Sequence, residues 1–198
     1  MKRLVVVLAG LLLLTGCASK SQFLVDDVAD PAVSDFTVKS INVLDTRDGV
    51  SGKPLDIPTF AWPGKQDMTV PPLTPEHENL IKTVISNYIS DGGPEVDVMV
   101  YLEKGYKEFR ATWFGEVEHV EIELKIDLHD NMHTPYLYSL SGSVFYEVRS
   151  MDASNEFIEK LYQKAIRSCI KKTMSNIPSL NEQLRQREMP EPVETRKI

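Results

Sequence analysis

Between His119 and Leu128 the chain alternates without a break. Val120, Ile122, Leu124, Ile126 and Leu128 take one parity, and His119, Glu121, Glu123, Lys125 and Asp127 the other. Successive side chains of a strand point to opposite faces, so this segment requires a sheet with one dry face and one wet face. Something apolar must cover the dry face. The matching cover lies near the C-terminus, where Phe157, Ile158, Leu161, Tyr162, Ala165, Ile166, Cys169, Ile170, Thr173, Met174 and Ile177 recur at helical spacing. A stripe of that width packs on a sheet, and Pro178 ends it.

Weaker signals place the other elements around this pair. Phe36 to Leu44 alternates as a first strand and closes in the turn-rich run Asp45-Thr46-Arg47-Asp48-Gly49. Thr74-Pro75-Glu76 starts a helix: threonine caps, proline suits the first helical position, and the acid sits at the positive end of the dipole. Leu80, Ile81, Val84, Ile85, Tyr88 and Ile89 follow on one side, and Gly92-Gly93 stops it. Val96, Val98, Val100 and Leu102 alternate in a second strand, and Tyr136 to Arg149 forms a fourth. The expected order is β-α-β-β-β-α. It gives an α+β two-layer sandwich: a mixed, mostly antiparallel four-stranded sheet with two helices on one face. The first strand–helix–strand unit pairs in parallel and the next three strands form a meander.

Residues 1–16 stand apart from this fold. Met1-Lys2-Arg3, the apolar run Leu4 to Leu14 and then Thr15-Gly16 form a secretory signal, too short for a spanning helix. Leu14-Thr15-Gly16-Cys17 resembles the bacterial lipobox. That resemblance implies that Cys17 becomes the acylated first residue, with a lipid bilayer as its partner, since several acyl chains anchor stably. Ala18-Ser19 follows the cysteine where aspartate favours inner-membrane retention, so the resemblance implies an outer-membrane anchor with the domain facing the periplasm. The expected organisation is a signal peptide over 1–16, an acylated N-terminus and tether over 17–35, one domain over 36–177, and an exposed tail over 178–198.

Val43-Leu44-Asp45-Thr46-Arg47 closing the first strand, the element order and the lipobox together resemble the YajG-like family of small bacterial lipoproteins. The likeness spans residues 36–177, with a Pro-rich insertion at 49–73 as its departure. It implies fold and location. The same two-layer pattern recurs in envelope accessory lipoproteins of transport systems, and fold alone does not give function.

Charge and motifs then exclude several classes. Without Lys2 and Arg3 the chain carries 20 basic against 29 acidic residues, a net charge of −9, and no basic stripe to neutralise phosphates. No nucleic-acid partner is expected. Nucleophile-elbow, phosphate-loop, dinucleotide and zinc-protease motifs are all missing, so neither an enzyme nor a cofactor is expected. His129-Asp130-Asn131-Met132-His133 reads as a solvated hairpin rather than a metal site, because no further ligands converge on it. Glu121 and Glu123 read as a solvated sheet face, and His77 as a surface residue. Cys169, alone in an oxidising compartment, falls on the apolar stripe and reads as buried and inert.

Two clusters remain. Asp45, Arg47 and Asp48 suit either a charged binding site or a turn in which Arg47 pairs with a carboxylate; the turn is the simpler reading. Phe60 and Trp62 in the Pro-rich loop, with Tyr106, Phe109, Trp113 and Phe114 around the second hairpin, either meet a partner or complete the core. The function expected is a non-enzymatic module that binds another envelope protein. The alternative is a lipoprotein that binds a small ligand or lipid, with residues 49–73 as a lid.

Overall fold

A computed structural model describes residues 36–89, 93–130 and 137–177. Five strands and two helices follow in the order β1 (Thr37–Asp45), β2 (Gln66–Thr69), α1 (Pro75–Tyr88), β3 (Glu95–Thr112), β4 (Gly115–His129), β5 (Tyr138–Ser150) and α2 (Asn155–Met174). The sheet runs β1-β3-β4-β5, with β2 against the far half of β3. β1 pairs with β3 in parallel, Ile41 beside Val98 and Val43 beside Val100. β3, β4 and β5 form the antiparallel meander. α2 packs on β4 and β5, and α1 packs on α2 and β1. This is the α+β two-layer arrangement expected.

The strand count differs, five instead of four, for a local reason. β3 has a register shift between Leu102 and Lys104. One extra residue there reverses the parity of everything beyond it, so the dry face continues as Gly105, Lys107, Phe109 and Ala111. The even-numbered alternation of Val96 to Leu102 breaks at that point, and β3 runs ten residues further than its pattern suggests. The exposed length of β3 then receives β2, four residues from the Pro-rich segment, too short to show a period of their own. Residues 49–73 are thus partly built into the sheet.

The core fills the space between sheet and helices. Val96, Val98, Val100 and Leu102 meet Ile122, Leu124, Ile126 and Leu128 across the sheet and Ile81, Ile85, Leu161, Ala165 and Ile166 from above, all buried. Each such side chain contributes roughly 1.5–3 kcal/mol by leaving water. Both helix starts are capped: Thr74 Oγ1 accepts from His77 N at 3.2 Å and Ser154 Oγ from Phe157 N at 3.2 Å. α2 has a second support. Glu116 and Glu118, on the dry face of β4, accept from Ala153 N at 2.6 Å and Ser154 N at 3.0 Å. These carboxylates stand at the positive end of the α2 dipole, which gives a buried acid a favourable place.

The wet face of the sheet is a lattice of charges and hydroxyls. Lys104 Nζ donates to Glu121 Oε1 at 2.7 Å, Tyr106 Oη to Glu121 Oε2 at 2.8 Å, and His119 Nδ1 lies 3.0 Å from Glu108 Oε2. Glu121 and Glu123 do lie on this face.

Candidate functional site

The strongest candidate is the end of the sheet where β3 turns into β4. Thr112 sets the turn: its hydroxyl donates to Gly115 O at 2.7 Å and accepts from Phe114 N at 3.3 Å. Trp113 and Phe114 therefore project from the tip, 85% and 97% exposed. A second loop is pinned beside them. Gly64 N donates to Ala111 O at 3.0 Å, Ala111 N to Lys65 O at 2.8 Å, and Lys65 N closes a turn onto Trp62 O at 3.0 Å. That turn carries Phe60 and Trp62, 71% and 73% exposed, packed edge-to-face with ring centroids 5.3 Å apart. Met151, 82% exposed, completes the cluster from the end of β5. Phe60, Ala61, Pro63, Trp113, Gly115 and Met151 line an open cavity of about 270 Å³. The sheet's own hydrogen bonds thus hold five large apolar side chains in water on one end of the domain. Exposed apolar groups gathered in this way mark interaction surfaces.

The six aromatics singled out from sequence divide. Phe60, Trp62, Trp113 and Phe114 share this end. Phe109 is corrected: it is fully buried, because the register shift in β3 turns it onto the dry face. Tyr106 takes the opposite parity and joins the charge lattice of the wet face, its hydroxyl pushed up to about 12 by burial and by Glu121. Met151 had no sequence signal beyond a large apolar residue beside the turn residue Asp152.

Asp45 and Arg47 form a different kind of centre. Arg47 Nε and Nη2 each donate to an Asp45 carboxylate oxygen at 2.7 Å. The remaining donors reach Pro71 O at 2.8 Å, Gly105 O at 3.0 Å and Tyr162 Oη at 3.0 Å. The Arg47 hydrogen bond holds the Asp45 carboxyl below its usual value. The side chain of Arg47 is 2% exposed, so this fork offers nothing to a ligand. Gly105 is needed beneath it: a Cβ there would stand 2.6 Å from Tyr162 Oη and 3.0 Å from Arg47 Nη1. Asp48 is exposed and outside the fork.

The same network continues under α1. His77 is corrected from surface to buried; its Nε2 lies 2.7 Å from Glu159 Oε1. Lys107 also pairs with Glu159 and sits 4.9 Å from the Tyr162 ring centroid. The His77 hydrogen bond, with Lys107, pulls the Glu159 carboxyl down to about 2 against the effect of burial. Sequence spacing gave no sign of this group, because its members come from α1, β3 and α2.

Cys169 is buried, its thiol pushed up to about 11 by that burial, with Sγ donating to Gly142 O at 3.1 Å. His129 ends β4 and Asp130 follows it, and His133 lies outside the described residues, as does Cys17. No group of three or more metal-binding side chains occurs among the described residues. No described helix is long and apolar enough to cross a membrane.

Fold and site together define a small two-layer α+β domain with a solvent-facing aromatic end. No family model matches the chain, and no curated protein matches it, so the YajG-like resemblance rests on architecture. Among solved structures it is similar to a Xanthomonas campestris protein assigned to DUF330, at 15% identity and a TM-score of 0.43, covering 75% of this chain and 86% of that one. It is also similar to a minor lipoprotein from Acinetobacter baumannii, at 8% identity and a TM-score of 0.42, covering 74% and 92%. At these values neither neighbour bears on what this chain does.

Proposed function

We propose that the chain is a bacterial envelope lipoprotein, acylated at Cys17, held in the outer membrane with its domain in the periplasm, and that the domain is a non-enzymatic module binding another envelope protein through its aromatic end. The observation that carries this reading is the joint exposure of Phe60, Trp62, Trp113, Phe114 and Met151 on one end of the sheet. Tryptophan anchors of this kind dominate protein interfaces.

The placement of the ends supports a protein rather than the anchoring bilayer. The chain enters the domain at Phe36, beside the Glu95 end of β3. The aromatic tip lies at the Thr112 end, about 56 Å away by the rise of an 18-residue strand. An anchor at Cys17 therefore attaches at one end of the domain and the apolar cluster works at the other. The ligand-binding alternative draws less support, because residues 51–70 are tied to the sheet edge by β2 and by Ser51 N to Val70 O at 2.8 Å. A lid needs a segment that lies across a face.

Affinity capture of the acylated full chain from cross-linked envelopes tests the proposal. One reproducible envelope protein, lost with Trp113→Ala and with Trp62→Ala, is the expected result. Recovery of the chain alone, or a partner that survives both substitutions, overturns the assignment. Mass spectrometry of the same preparation reads the acyl group on Cys17 separately.

A further inference from the structure

Beside the aromatic tip, the wet face of the sheet ends in two arginines. Arg110 of β3 and Arg149 of β5 stand opposite the same residue, Val117 of β4, so they share one rung on either side of it. Strand spacing puts their Cα atoms about 10 Å apart. Arg110, Thr112, Phe114, Val117 and Arg149 line a recess of about 250 Å³. Val117 is buried between the arginines, while Phe114 stands exposed next to them. Thr112, Gly115 and Glu116 line both this recess and the cavity of Phe60 and Trp113, so the two hollows adjoin at the β3–β4 turn.

The charge in the recess is incompletely met. Glu147, the next residue on that face of β5, serves both arginines: Arg149 Nη2 lies 3.4 Å from its Oε1 and Arg110 Nη2 lies 3.8 Å from its Oε2. Both distances exceed the roughly 2.7–2.9 Å of a charge-assisted hydrogen bond. Arg47 shows the contrast, with its fork closed twice on Asp45 at 2.7 Å and its side chain 2% exposed. The side chains of Arg110 and Arg149 are 48% and 80% exposed.

Two more carboxylates lie near, and both are engaged. Glu108 accepts from Gln66 Nε2 at 2.7 Å and lies 3.0 Å from His119 Nδ1. Glu116 Oε2 accepts from Ala153 N at 2.6 Å, at the start of α2. Two guanidinium groups thus share one loosely held carboxylate, in a chain whose net charge is −7. Guanidinium is planar and weakly hydrated, which suits it to carboxylates at an interface.

Given the aromatic end as a protein-binding surface, a reading on which this rests, we propose that the recess between Arg110 and Arg149 takes an acidic side chain of the bound protein in place of Glu147. The recognised segment then carries an Asp or Glu beside its apolar anchor. Buried aromatic contact supplies most of the affinity at such a surface, and charge selects among partners.

The test uses the full chain in detergent and a displayed library of random dodecapeptides. Enriched peptides are expected to hold Asp or Glu within a few residues of an aromatic or large aliphatic residue. The tightest is synthesised twice, as selected and with each acid replaced by its amide, and both are titrated by fluorescence anisotropy. The acidic peptide binds about tenfold or more tighter than its amide twin, equivalent to ~1.4 kcal/mol. Arg110→Gln with Arg149→Gln brings the two peptides level. Glu147→Gln removes the competing carboxylate, which tightens the acidic peptide and leaves the amide one unchanged. Trp113→Ala weakens both. Equal binding of the two peptides to the parent chain, or an acid preference that survives both arginine substitutions, overturns the arginine recess and leaves the aromatic reading in place. Peptide binding that Trp113→Ala does not change overturns the aromatic reading itself, and the recess with it.

Discussion

Arg47 donates to the hydroxyl of Tyr162 at 3.0 Å across 115 residues of chain, with its fork closed on Asp45. A turn at the end of β1 is thereby fastened to the middle of α2, over Gly105 of β3. Planar geometry matters here. Lysine offers a point charge in place of a fork and supplies too few directed donors.

Arg47→Lys is therefore expected to destabilise the domain by roughly 2–4 kcal/mol, and Tyr162→Phe by about 1 kcal/mol. Urea denaturation followed by far-ultraviolet circular dichroism measures both. An Arg47→Lys midpoint equal to that of the parent protein means that the fork has no structural role.

Glu159 makes stability depend on acid. Its folded value of about 2 lies below the unfolded value of 4.5, so the unfolded chain binds the proton first as pH falls. The contribution of Glu159 is present above pH 4.5 and is lost as pH falls through 2. Partial exposure of the carboxylate keeps that contribution modest. Thermal melts between pH 6 and 2 check the sign: Glu159→Gln has a shallower acid slope than the parent, and an unchanged slope assigns the effect to other carboxylates.

Trp62→Ala and Trp113→Ala remove exposed rings and change stability by less than about 0.5 kcal/mol. Phe109→Ala empties a core position and costs about 3–5 kcal/mol. A calorimetric comparison separates binding aromatics from packing ones, and a large loss with either tryptophan variant places that ring in the core.

Gly142 is held to its identity by α2. A Cβ there collides with the hydroxyl and Cβ of Thr173, so Gly142→Ala costs about 1–3 kcal/mol of overpacking. Thr173→Ala in the same chain restores part of the loss. Two costs that simply add contradict the contact.

Cys169 resists thiol reagents. With its value raised to about 11 and its sulfur buried, almost no thiolate forms at pH 8. Labelling by a maleimide is expected to follow global unfolding in urea. Rapid labelling of the native protein shows that α2 opens locally.

Much of the layer structure was readable along the chain, because periodicity records which side of an element is dry. The alternation of Val120 to Leu128 and the stripe from Phe157 to Met174 each describe one face, and two such faces have one way to satisfy each other. Thr74 marked the start of the first helix through the chemistry of an unpaired N–H. The full extent of β3 was hidden by a single inserted residue near Glu103, which swaps the faces while leaving the composition the same. Phe109 was ambiguous for that reason alone. β2 was hidden because four residues are too few to carry a period.

The aromatic end was legible as residues but not as a place. Phe60, Trp62, Trp113 and Phe114 announce large apolar surface wherever they fall, while Ala111, Gly64 and Lys65 decide by backbone hydrogen bonds that they share one end.

By itself the sequence determined the elements, their faces and the two-layer class, since burial pattern, caps and turn residues act over a few neighbouring positions. Only the tertiary structure decided which distant groups meet: His77 with Glu159, Arg47 with Tyr162, and Phe60 with Trp113 around one cavity. Those encounters depend on strand register and helix rotation, where a shift of one residue exchanges the faces, and no local pattern records the outcome.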